Sequence, residues 1–122
     1  MAHERLSPED RQLIKGCLNA IASEVFIDAE EFEAVSGASW EALRAVRAAY
    51  PEVDDDEQGV EIALHGAMLS LLFYPHRQEA RWHEFVPGTA HDVFAVHQRW
   101  MQLKGWRVPE AEGGPYFFEL LR

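Results

Sequence analysis

Cysteine is nearly absent. Cys17 stands alone, so no disulfide can form within the chain, and its place among apolar residues at helical spacing makes it a small hydrophobe rather than a nucleophile. Long apolar runs are missing too. No stretch approaches the ~20 residues that span a bilayer, and the polar start Met1-Ala2-His3-Glu4-Arg5 leads into a helix signal, not a signal-peptide core. The expectation is a cytoplasmic protein without a membrane-bound part. Signatures of catalysis are also lacking. There is no Gly-x-Ser-x-Gly and no glycine-rich loop to cradle a phosphate. Carboxylates are plentiful but stand in polar runs, where nothing desolvates them for acid–base work. The chain is therefore read as a non-enzyme with no catalytic residue, no cofactor and no metal site.

Basic residues are scarce, and their distribution is informative. The net charge is −10. Between Glu24 and Glu61 twelve acids face two bases, Arg44 and Arg47, whereas the rest of the chain holds nine of each. All the excess charge falls in one contiguous third. Such a field repels phosphate backbones and anionic membranes and attracts basic partners. Phe32 to Val46, with Gly37 in the middle, has the length of a helix-turn-helix, but the charge around Arg44 and Arg47 opposes duplex binding.

What is present in quantity is apolar surface. Seven Phe, four Trp and three Tyr can each bury on the order of 150–250 Å², enough for one core in 122 residues. Helix signals follow in order. Ser7-Pro8-Glu9-Asp10 starts a helix to about Glu24, and Asp28-Ala29-Glu30-Glu31 starts a short one, with Ile27 and Phe32 as a hydrophobic staple and Gly37 as its stop. Ser39 caps a third that Pro51 ends. The charged run Glu52-Val53-Asp54-Asp55-Asp56-Glu57 is a loop whose end caps a fourth. That fourth helix, Val60 to Tyr74, is apolar nearly all round and belongs at the centre of the bundle. Gly66 inside it marks the close approach of a neighbour. A short fifth helix covers Gln78 to Phe85 with Trp82 and Phe85 inward, and Thr89-Ala90-His91-Asp92 opens a sixth that runs to Gly105. Tyr116-Phe117-Phe118-Glu119-Leu120-Leu121, after a Pro/Gly-rich stretch, is too apolar to stay in water and should dock on the body. The fold class expected is all-α: residues 1–122 as a single domain of about six helices with an apolar C-terminal tail docked on it.

Five of six histidines, His65, His76, His83, His91 and His97, lie in the second half. His91 and His97 are six apart, so their rings cannot share a helical face, and no His-Glu-x-x-His occurs. Asp54, Asp56 and Gln58 with Gly59 match the first half of a calcium loop, but His65 stands where the bidentate Glu must be. The histidines and the Asp-rich loop thus read first as ordinary side chains.

The run Leu71-Leu72-Phe73-Tyr74-Pro75-His76, followed by Trp82 and Trp100 and preceded by Glu31-Phe32, Gly37 and Trp40-Glu41, resembles small uncharacterised bacterial proteins. In size, acidity and helical content the chain is similar to immunity proteins of polymorphic-toxin and contact-inhibition systems. That resemblance implies an acidic protein that neutralises a basic partner, such as a toxin domain, with no nucleic acid and no membrane involved. Glu30, Glu33, Asp54, Asp55, Asp56 and Glu57 would steer and rim that contact. A structural or adaptor domain is the alternative, and an enzyme that holds a metal or ligand through the later histidines is a third. No feature sets the oligomeric state.

Overall fold

A computed structural model describes residues 2–105 of the chain. After a 3-10 turn at Ala2–Arg5, helix α1 spans Pro8–Ala22. The Ser7 side chain accepts from the Asp10 N–H, and Pro8 fills the first turn, where a missing N–H costs nothing. The helix stops at Ala22 and not at Glu24, which adopts a left-handed φ of 62° as the chain turns away. Helix α2 covers Ala29–Ser36. Asp28 accepts from the Glu31 N–H, and Gly37, at φ 77°, supplies the left-handed C-cap. Ile27 and Phe32, the expected staple pair, are both buried.

Helix α3 spans Trp40–Ala49, capped by Ser39 and ended before a cis Tyr50–Pro51 bond. Helix α4, Gln58–Phe73, is the hub, packing against α1, α2, α3 and α5. Eight of its residues are buried, among them Leu64, Met68, Leu71 and Leu72. At Gly66 an added Cβ would lie 2.7 Å from Cβ of Ser36, so α2 crosses α4 at a position where α4 offers no side chain. Helix α5, Ala90–Leu103, carries a full capping box between Thr89 and Asp92 and buries Val93, Val96, His97, Trp100 and Met101.

Two expectations change. Glu57 occupies the N-cap position of α4 but makes no side-chain cap bond. The segment read as a fifth α-helix is a 3-10 turn, Glu79–Glu84. It sits between Pro75 and Pro87, too short a span for many i→i+4 bonds, and 3-10 geometry suits such short pieces. Trp82 still turns inward, and its indole N–H donates to the Gly88 carbonyl over 2.6 Å. The fold is thus all-α, with no strand among the described residues and no helix there long and apolar enough to cross a membrane. The apolar tail, Tyr116 to Leu121, lies outside the described residues.

Candidate functional site

The acidic third distributes itself over the α1–α2 connection, α2, α3, the loop before α4 and the first turn of α4. Ten of its twelve carboxylates are exposed; Glu61 is half-buried and Asp55 is fully buried. The loop forms because Asp54 Oδ1 accepts from the Asp56 N–H over 2.9 Å, a local turn that sends neighbouring side chains in opposite directions. Asp54, Asp56 and Glu57 face water. Glu30 and Glu33 are exposed on α2, a different element from the loop. Glu33 has a structural task as well, since its Oε2 accepts from the Trp40 N–H over 2.7 Å and so caps α3 from outside.

Asp55 requires a correction. The sequence reading placed it on the rim of a partner contact, yet it is 0 % exposed and cannot touch another surface. Its Oδ2 accepts from the His3 N–H over 2.9 Å and from Trp100 Nε1–H over 2.8 Å. Burial alone would raise its pKa. The bonds from Trp100 and His3, with the Lys104 charge, overcome that and hold the carboxyl below its ordinary value. Its Oδ1 has no hydrogen-bond partner among the described residues. One negative charge in the run is thus removed from the surface, which no feature of Asp54-Asp55-Asp56 distinguishes in sequence.

Lys104 closes the loop from the end of α5. Its ammonium donates to the Asp55 carbonyl, to Asp56 Oδ1 at 3.3 Å and to Glu61 Oε2 at 2.7 Å, and lies 5.9 Å from the centre of the Trp100 ring. Burial would lower its pKa, but the bonds to Glu61 and Asp56 hold it above its usual value. The carboxylates of Asp54, Asp55 and Asp56 offer ligand atoms within 4.8 Å of one another. Because α4 begins at Gln58, the later positions of the calcium-loop alignment are already helical, and Lys104 is the cation the loop holds.

The histidines separate into two kinds. His76 is a helix stop: Nε2 donates to the Leu71 carbonyl over 3.2 Å, and Nδ1 accepts from the Gln78 N–H over 2.9 Å. His65 on α4 and His97 on α5 meet instead, with 2.9 Å between His65 Nδ1 and His97 Nε2. This pair joins two helices and escaped the within-helix spacing test. One ring must donate and the other accept, so the two cannot both be charged in the fold. Burial, with the nearby His65, lowers the His97 pKa to about 4, and burial also lowers that of His65 against the charge of Glu61. No third ligand completes a metal set with these two rings among the described residues.

An apolar cleft of ≈ 490 Å³ lies beside α2, lined by Val35, Ser36, Leu69, Phe73 and Tyr74 among others. Val35, at 52 % exposed, is the large apolar side chain most open to solvent among the described residues. Glu30 and Glu33 belong to the same short helix but do not line the cleft. No protein-family model, no curated protein and no solved structure matches this chain.

Proposed function

We propose that the protein is a non-catalytic binding domain that neutralises a basic protein partner, most concretely as an immunity protein that blocks a toxin domain such as a nuclease. The observation that carries this reading is the exposure of ten of the twelve acids between Glu24 and Glu61. Among the described residues only Asp56 and Glu61 of that set form ion pairs, both with Lys104. An exposed field of one sign steers an oppositely charged protein and rejects anionic ones. Steering sets the association rate, while affinity needs a desolvated anchor. The cleft beside Val35 is a place for one apolar side chain of the partner, and Glu30 and Glu33 on the same helix would add to the attraction. Asp54, Asp56 and Glu57 would supply a second cluster of long-range attraction; Asp55 supplies none.

The test separates these two roles. A basic partner purified from the native host should associate with a rate that drops steeply with salt, while dissociation changes little. The triple variant Asp54→Asn, Asp56→Asn, Glu57→Gln should slow association at low salt and leave the melting temperature near that of the native chain. Val35→Glu should mainly speed dissociation. Association of the triple variant at the native rate would remove the loop from the interface. Recovery of only acidic or uncharged partners would remove the reading itself.

A further inference from the structure

A second cleft, of ≈ 370 Å³, opens where the end of α1 meets α3, with Asn19, Glu24, Trp40, Arg44, Arg47 and Phe85 in its walls. Trp40, Arg44 and Arg47 follow one another at i, i+4 and i+7, so α3 presents them on one face. Each aromatic wall is held from behind. Trp40 packs edge-on against Phe32 with ring centres 5.9 Å apart, and Phe85 does the same against Phe26 at 5.7 Å.

The charges here run against the rest of the surface. Arg44 and Arg47 are the two bases of the acidic third, yet neither pairs with a carboxylate among the described residues, whereas Arg81, Arg99 and Lys104 all do. Arg47 donates its Nε–H to Asn19 Oδ1 over 3.0 Å, which orients the guanidinium and leaves its terminal nitrogens uncommitted among the described residues. Lys15 adds a third positive charge, its ammonium donating to the Arg47 carbonyl. Burial, then the Arg47 charge, lowers the Lys15 pKa, as expected where cations crowd together. Glu24 stands at the lip, but its Oε2 accepts from the Ala29 N–H over 3.3 Å and is not within ion-pair reach of either arginine. Complementing the negative end of α1 would explain one nearby cation at about 0.3–1 kcal/mol. It does not explain two forks, unpaired among the described residues, that face a recess with aromatic walls.

We propose that this cleft binds a small planar oxyanion, an aromatic or heteroaromatic ring bearing one phosphate or carboxylate. Arg44 and Arg47 take the oxyanion, since a guanidinium fork matches either group with two parallel hydrogen bonds. Trp40 and Phe85 take the ring, and Asn19 positions Arg47. The volume suits a mononucleotide-sized molecule, near the lower end of the ~300–1,000 Å³ of small-ligand sites. The net charge of −10 weighs against a polyanion, whose many phosphates would extend beyond the two arginines over an acidic chain. A single small anion between the two guanidinium groups lies within their local field, because charges beyond about 8–10 Å are screened at physiological salt.

The experiment titrates the full chain with adenosine monophosphate, adenosine, indole-3-acetate and inorganic phosphate, followed by calorimetry and tryptophan fluorescence. The expected result is saturable binding of adenosine monophosphate or indole-3-acetate at or below about 1 mM, and whichever binds identifies the oxyanion. Arg44→Gln and Arg47→Gln, both at exposed positions, should each weaken that binding about tenfold or more with unchanged melting. Arg47→Lys keeps the charge without the fork and should fall between. The inference is overturned if neither ring-bearing anion saturates by about 10 mM. It also fails if inorganic phosphate or adenosine alone binds as tightly, or if the arginine variants bind like the native chain. This site is independent of the acidic-surface reading, and either can fail without the other.

Discussion

The indole N–H of Trp100 donates to Asp55 Oδ2 across 2.8 Å, joining residues 45 positions apart in a region neither exposes to water. The same oxygen accepts from the His3 backbone, so one carboxylate ties the N-terminal turn, the acidic loop and α5 together. Replacing Asp55 by Ala should destabilise the domain by about 2–5 kcal/mol, because two buried donors lose their acceptor at about 1–3 kcal/mol each. Glu57→Ala, two residues on and exposed, should stay within about 0.5 kcal/mol. Urea unfolding of both variants measures the contrast. Equal small effects would return Asp55 to the surface.

Helix α4 contains two glycines with opposite expected outcomes. Alanine at Gly59 meets nothing within 4 Å and should stabilise by about 0.4–1 kcal/mol through the unfolded state. Alanine at Gly66 has the same propensity gain, but its Cβ would stand 2.7 Å from Cβ of Ser36, an atom fixed to its own backbone. It should destabilise by about 1–3 kcal/mol from overpacking. A Gly66→Ala chain as stable as Gly59→Ala would show that α2 does not press on α4.

Leu71 is 0 % exposed at the centre of the bundle. Leu71→Ala should cost about 2–5 kcal/mol in thermal or denaturant unfolding, from lost burial and the cavity left behind. A cost below about 0.5 kcal/mol would place α4 at the surface.

The burial of His97, with His65 beside it, makes stability depend on pH. The His97 pKa falls from its ordinary 6.5 to about 4 on folding, so the unfolded chain binds the proton more tightly. Stability should therefore decrease as pH drops from about 6.5 to about 4, by up to about 3 kcal/mol from this group, and level off below both values. Asp55 acts lower, since its carboxyl is held below its ordinary 3.8 and loses its contribution only as pH falls past that value. His97→Gln keeps a donor near the Nε2 position but does not titrate, and should flatten the profile between pH 6.5 and 4. An unchanged profile would assign that loss to other groups.

The helical framework was legible wherever cause and effect are local. Ser7, Asp28, Ser39 and Thr89 cap the helices their positions announce. The all-round apolarity of Val60 to Tyr74 foretold its central place, and Gly66 its close neighbour. Features fixed by distant partners were not legible. Nothing in three consecutive aspartates says that the middle one faces Trp100, and His65 and His97 are 32 residues apart, beyond any helical periodicity. Arg44 and Arg47 drew attention only as the two bases of an acidic segment, whereas their shared recess depends on Asn19 and Phe85 from other elements.

The meeting of His3, Asp55, Trp100 and Lys104 also has a consequence in time. A ribosome delivers Asp55 well before it adds the Trp100 indole that donates to it. Until then the Asp55 carboxylate keeps its water and the acidic loop stays unfastened. Helices α1, α2 and α3 can gather around α4 during synthesis, since their contacts with it all lie upstream of α5. The loop locks last, when α5 clears the exit tunnel, so a nascent chain stalled before Trp100 should carry an open N-terminal turn that protease reaches readily.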